Sequence, residues 1–77
     1  MATTVTVAGW PRSRLGDNDV YRQFGNDIIS YHEGHDGNMR VVYKNETCAM
    51  RMIDMLDGSM PAGCDRAISM RLSCQVH

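Results

Sequence analysis

Aromatic residues make up only 6% of the chain, proline occurs twice in 77 residues, and no long apolar run is present. A membrane-spanning helix needs roughly 20 consecutive apolar residues, so none is expected. The chain also lacks a charge excess. Eight basic residues against nine acidic ones leave a formal charge of −1, a balance that does not support a wholesale electrostatic grip on nucleic acid. Cysteine is sparse and odd in number. Cys48, Cys64 and Cys74 are spaced by sixteen and ten residues, which fits neither a CxxC metal knuckle nor a small secreted disulfide framework. Free thiols are expected. There is no GxSxG elbow, no phosphate-cradling glycine loop and no GxGxxG fingerprint, so no catalytic motif assembles and the chain reads as non-enzymatic. The start Met1-Ala2-Thr3-Thr4 has no positive segment followed by an apolar stretch, which predicts a cytoplasmic protein.

What is there suffices for one small domain over residues 1–77. Hydrophobic residues reach 43% and charged ones 22%, a balance that distinguishes a folding chain from a disordered one. The charge is unevenly laid out. Arg12, Arg14 and Arg22 outnumber Asp17 and Asp19, whereas residues 27 to 58 hold six acids against Arg40, Lys44 and Arg51. Seven of the eight cations are arginine, the residue best suited to planar, bidentate contacts.

Val5 and Val7 alternate with Thr4 and Thr6, which predicts a strand over Thr3 to Ala8. Gly9, Pro11, Gly16 and Asp17-Asn18-Asp19 then predict a loop that carries Trp10. Val20 to Phe24 fits either a two-turn helix or a hairpin arm, with the strand slightly favoured. Ile28 to His32 and Met39 to Lys44 flank Asp36-Gly37, a hairpin turn signal. A two-residue loop there would set Glu33 opposite Arg40 and His32 opposite Val41. Ile28, His32, Met39, Val41 and Tyr43 would then face the core. After the capping residues Asn45-Glu46-Thr47, the spacing of Cys48, Ala49, Met52, Ile53 and Leu56 predicts a helix over about residues 46–57, stopped at Gly58. Ile68, Met70, Leu72, Cys74 and Val76 alternate with polar residues, which predicts a last strand. The expected fold is α+β: a mainly antiparallel sheet of three to four strands with one helix packed on a face. A helical residue 18–25 segment would convert it to the ferredoxin-like order βαββαβ. A domain this small buries only about 60% of its unfolded surface, so a homodimer that completes the core fits as well.

Candidate sites follow from residue chemistry. Tyr31-His32-Glu33-Gly34-His35-Asp36 gathers two imidazoles and two carboxylates within six residues, which is ligand chemistry for zinc or copper through His32 and His35. Strand alternation sends His32 and Glu33 to opposite faces, so a solvated hairpin tip is the plainer reading and no metal or cofactor is assigned. The sulfur-rich run from Cys48 to Cys64 reads as helix packing, with Met50 and Met55 on its flanks. Trp10, Arg12 and Arg14 share one loop, and tryptophan and arginine are the types most enriched at binding hot spots. The contact surface is therefore expected at Trp10, Arg12, Arg14, Tyr31, Arg40 and Met55.

A strand-rich N-terminal half, one helix over Thr47 to Leu56 and a last strand over Ala67 to Val76 resemble, in size and element order, small phage-borne anti-CRISPR proteins. The resemblance implies a stoichiometric inhibitor that docks on a CRISPR effector complex and sterically blocks DNA binding or nuclease recruitment. The leading expectation is accordingly a small protein-binding module with a protein partner. The alternative is a small nucleic-acid-binding domain that uses Trp10 with Arg12, Arg14, Arg22, Arg40 and Arg71. A metal-binding domain through His32 and His35 is the second alternative.

Overall fold

Four antiparallel strands form one sheet in the order β2-β3-β1-β4. The computed structural model describes residues 1–34, 36–61 and 64–73. In chain order these contain β1 (Thr3–Ala8), a 3-10 turn (Arg12–Arg14), α1 (Asp17–Phe24), β2 (Ile28–Glu33), β3 (Met39–Tyr43), α2 (Glu46–Leu56) and β4 (Ser69–Leu72). The architecture is α+β in the ferredoxin-like order βαββαβ. The expected final strand is present only in part, because Cys74 and Val76 lie outside the described residues.

The segment that sequence pattern leaned toward strand is helical. Val20 and Phe24 stand one turn apart and are both fully buried, so tertiary packing decides between two periodicities that five residues could not separate. Asp17 and Asp19 occupy the first turn, where acids complement the helix dipole. Gly25 ends the helix at φ 93°, a conformation open mainly to glycine, while its N–H donates to the Tyr21 carbonyl. In α2 the Asn45 side chain accepts from the Cys48 N–H at 2.8 Å, a cap worth about 1 kcal/mol.

The hairpin register differs from the sequence expectation by one residue. The Gly34 N–H donates to the Asn38 carbonyl at 2.7 Å, so the strands close between Gly34 and Asn38, with Gly37 at φ 82°. One extra loop residue slides β2 along β3, and the side chains from Ser30 to Glu33 change face. His32 stands opposite Arg40, Tyr31 opposite Val41 and Glu33 opposite Met39. His32 consequently leaves the core, and Tyr31 and Glu33 turn toward the helical side. A register irregularity between Ile28 and Ser30 leaves Ile29 57% exposed and returns Ile28 to the core beside Tyr43.

Val5, Val7, Met39, Val41, Tyr43 and Met70 point from the sheet toward Val20, Phe24 and Ala49 of the helices. Burying each such side chain contributes about 1.5–3 kcal/mol. The Tyr43 hydroxyl is satisfied within this core, donating to the Phe24 carbonyl at 2.9 Å, and burial raises its pKa. Both helices cover one face of the sheet, which leaves the other face open.

Candidate nucleic-acid interface

Strand alternation hands the open face to the residues between the core positions. On β1 these are Thr4, Thr6 and Ala8, and on β3 they are Arg40 and Val42. The registers then line up one row across all four strands: His32 opposite Arg40, Arg40 opposite Thr6, and Thr6 opposite Arg71. At about 4.8 Å between strands the row spans roughly 14 Å. The Thr6 and Ser73 hydroxyls hydrogen-bond beside it. A shallow recess of about 350 Å³ lies on this face, bordered by Thr6, Asn38, Arg40, Arg71 and Ser73 among others.

The two arginines of the row are held differently. Arg40 is clamped by Asp36 through Nη1 to Oδ1 at 3.3 Å and Nη2 to Oδ2 at 2.9 Å. Asn38 braces the same carboxylate, its backbone N–H donating to Oδ1 at 3.1 Å and its amide to Oδ2 at 3.3 Å. The Arg40 hydrogen bond, followed by the Asn38 N–H, holds the Asp36 pKa down at about 2. Arg71 is exposed and has no ion-pair partner among the described residues. The two helices carry Asp17, Asp19, Glu46 and Asp54 against Arg22 and Arg51, whereas the recess on the open face is bordered by Arg40 and Arg71 against Asp36 alone.

The six residues expected to form one contact surface do not converge. Trp10 is a core residue, 8% exposed, its ring edge-on to Phe24 at 4.9 Å and its Nε1–H donating to the Arg14 carbonyl at 2.8 Å. The apolar ring fills the end of the core, which removes it from any recognition surface. Arg12 pairs with Glu33 at 2.9 Å, and Arg14 sits in the 3-10 turn. The Tyr31 hydroxyl donates to the Leu15 carbonyl at 3.0 Å and to the Asp17 carboxylate. That carboxylate pushes its pKa up to about 12 and fastens β2 to the start of α1. Met55 is 66% exposed on α2, on the helical side. Only Arg40 of the six belongs to the open face, where His32 and Arg71 join it. Of the expected metal ligands, His35 lies outside the described residues. No group of three or more His, Cys, Asp or Glu suited to a metal occurs among the described residues.

No family model matches the sequence, and no curated protein matches it. Solved structures do. A chain of a Sxl-lethal protein/RNA complex superposes with a TM-score of 0.80 at 25% identity over 92% of this chain. The present chain spans about half (47%) of that one. The RRM domain of S. pombe Puf1 superposes with a TM-score of 0.72 at 17% identity, over 95% of this chain and 90% of that one. The fold is thus the ferredoxin-like arrangement in the form that RRM domains take.

These neighbours correct the functional expectation. Nothing in the comparisons points to anti-CRISPR proteins, and an RNA complex and an RRM domain replace the phage inhibitor docked on a CRISPR effector as the relevant likeness. The nucleic-acid alternative is the better supported one, and a non-enzymatic domain agrees with the same neighbours. Among the described residues no helix is long and apolar enough to cross a membrane.

The signal that could have revealed this face is faint. RRM sheets carry on β3 the pattern K/R-G-F/Y-G/A-F-V-x-F/Y, whose aromatics stack bases. Laid over residues 36–43, Gly37, Val41 and Tyr43 agree, while Asn38 and Arg40 stand where the stacking rings would be. Asp36 and Met39 also depart from it, at its basic and small-residue positions.

Proposed function

We propose that the chain is a single-stranded RNA-binding domain that lays the strand across its helix-free sheet face, along His32, Arg40, Thr6 and Arg71. The observation that carries this reading is the polar row itself, assembled from all four strands on the helix-free face with Arg71 free of any ion pair among the described residues. The likeness to a chain solved with RNA supports it. Arg71 and His32 supply phosphate contacts, and Thr6, Asn38 and Ser73 supply hydroxyl and amide groups for sugar and base edges. With so few cations, binding is modest and falls with salt. Non-specific affinity is about 10⁻⁴–10⁻⁶ M at physiological salt, with a log–log slope of about −0.7 per neutralised phosphate. An RNA ligand implies an intracellular working site.

Fluorescence anisotropy with a labelled single-stranded RNA at low salt tests the reading. Arg71→Glu should reduce affinity at least tenfold, and Met55→Glu on the helical side should leave it unchanged. Absence of binding by the wild-type protein at low salt would overturn it.

A further inference from the structure

We propose, resting on the RNA-binding reading above, that Asp36 fixes the Arg40 guanidinium as a flat platform on which one base stacks, while Arg71 takes the phosphate. The division of labour follows from how each arginine is held. Both terminal nitrogens of Arg40 already engage both oxygens of Asp36, so the end-on fork that would grip a phosphate bidentately is occupied and only the lateral N–H groups remain. The charge is largely neutralised by the same pair. Besides those lateral donors Arg40 offers the face of its guanidinium, and guanidinium planes, like aromatic rings, stack unpaired bases.

The clamp is built into the hairpin. Asn38 holds the carboxylate from the other side, and Gly34 leaves the room the pair needs. A Cβ at Gly34 would lie 3.0 Å from Asp36 Oδ1 and 3.3 Å from Arg40 Nη1. The Arg40 side chain is 26% exposed, held down on the sheet rather than extended into solvent. It borders the recess that Arg71 closes on the far side of Thr6, two strand spacings or roughly 10 Å away. All five aromatic side chains of the chain are otherwise engaged: Trp10, Phe24 and Tyr43 in the core, Tyr21 and Tyr31 against each other at 6.1 Å beside α1. Among the described residues the His32 imidazole is the one ring that shares the open face with Arg40.

The test compares two short single strands of equal length, oligoadenylate and the same sugar-phosphate chain without bases, titrated against the folded protein. Stacking of one base gives the wild type about a 5- to 150-fold preference for oligoadenylate. Arg40→Lys keeps the charge and removes the plane, so it should erase that preference and bring the two strands to the same affinity. Asp36→Asn releases Arg40, so it should weaken the preference and steepen the salt dependence on the baseless strand by about 0.7 in log–log slope. Arg71→Ala should lower affinity for both strands alike. Thermal melts by circular dichroism establish that each variant is folded. If Arg40→Lys retains the preference, or weakens both strands equally, the platform is refuted while the RNA-binding reading stands. If the wild type binds neither strand, both fall.

Discussion

Replacing Trp10 by alanine separates a core residue from a recognition residue. The side chain is 8% exposed, meets Phe24 edge-on at 4.9 Å and donates its Nε1–H to the Arg14 carbonyl. Truncating a buried tryptophan costs about 3–5 kcal/mol, cavity included. A 77-residue domain has about 4–12 kcal/mol in all. Trp10→Ala therefore removes between about a quarter and all of the stability, a fall in Tm on the order of 12–40 °C. Trp10→Phe keeps a ring against Phe24 and loses the hydrogen bond and some volume, so about 1–2 kcal/mol is expected. Urea titration followed by far-UV circular dichroism reads both variants without relying on the single tryptophan as a probe. A Trp10→Ala protein that unfolds with the wild-type midpoint yet no longer binds RNA would refute this reasoning and return Trp10 to the surface.

Three further outcomes are expected. Gly34→Ala should destabilise the hairpin by about 1–3 kcal/mol, since the new methyl group also comes within 3.3 Å of the Asn38 carbonyl; a stability equal to wild type would mean the turn gives way easily. Asn45→Ala removes the α2 cap and should cost about 1 kcal/mol in a urea titration, and no loss would mean another group replaces it. Asp36 has a folded pKa depressed from 3.8 to about 2 by Arg40, so its contribution is present above about pH 4 and fades as pH falls toward 2. The stability gap between wild type and Asp36→Asn should narrow over that window and shrink in high salt, because both side chains meet solvent. A gap independent of pH would contradict the clamp.

Much of the fold is legible in the residues. The Val-Thr alternation yields β1 with its observed bounds, and Asn45 with the apolar spacing that follows yields α2. The hairpin is legible but its register is not, because Asp36-Gly37 signals a two-residue turn where the chain closes between Gly34 and Asn38. That single residue carries His32 from the expected core to the open face, and with it one member of the polar row. α1 is ambiguous because Val20 to Phe24 satisfies two periods equally, and only burial against the sheet separates them. The site was harder still. Arg40 and Arg71 lie 31 positions apart and meet only through Thr6, and no aromatic residue at 38 or 40 announces a base-stacking sheet.

The central claim is that RNA lies on the helix-free sheet face. An amide chemical-shift titration of the isotopically labelled protein with single-stranded RNA reads that face directly. The account predicts shifts concentrated at Thr6, His32, Arg40 and Arg71, with Met50 and Met55 on α2 unmoved. Shifts confined to α2, or none at any RNA concentration, would contradict it.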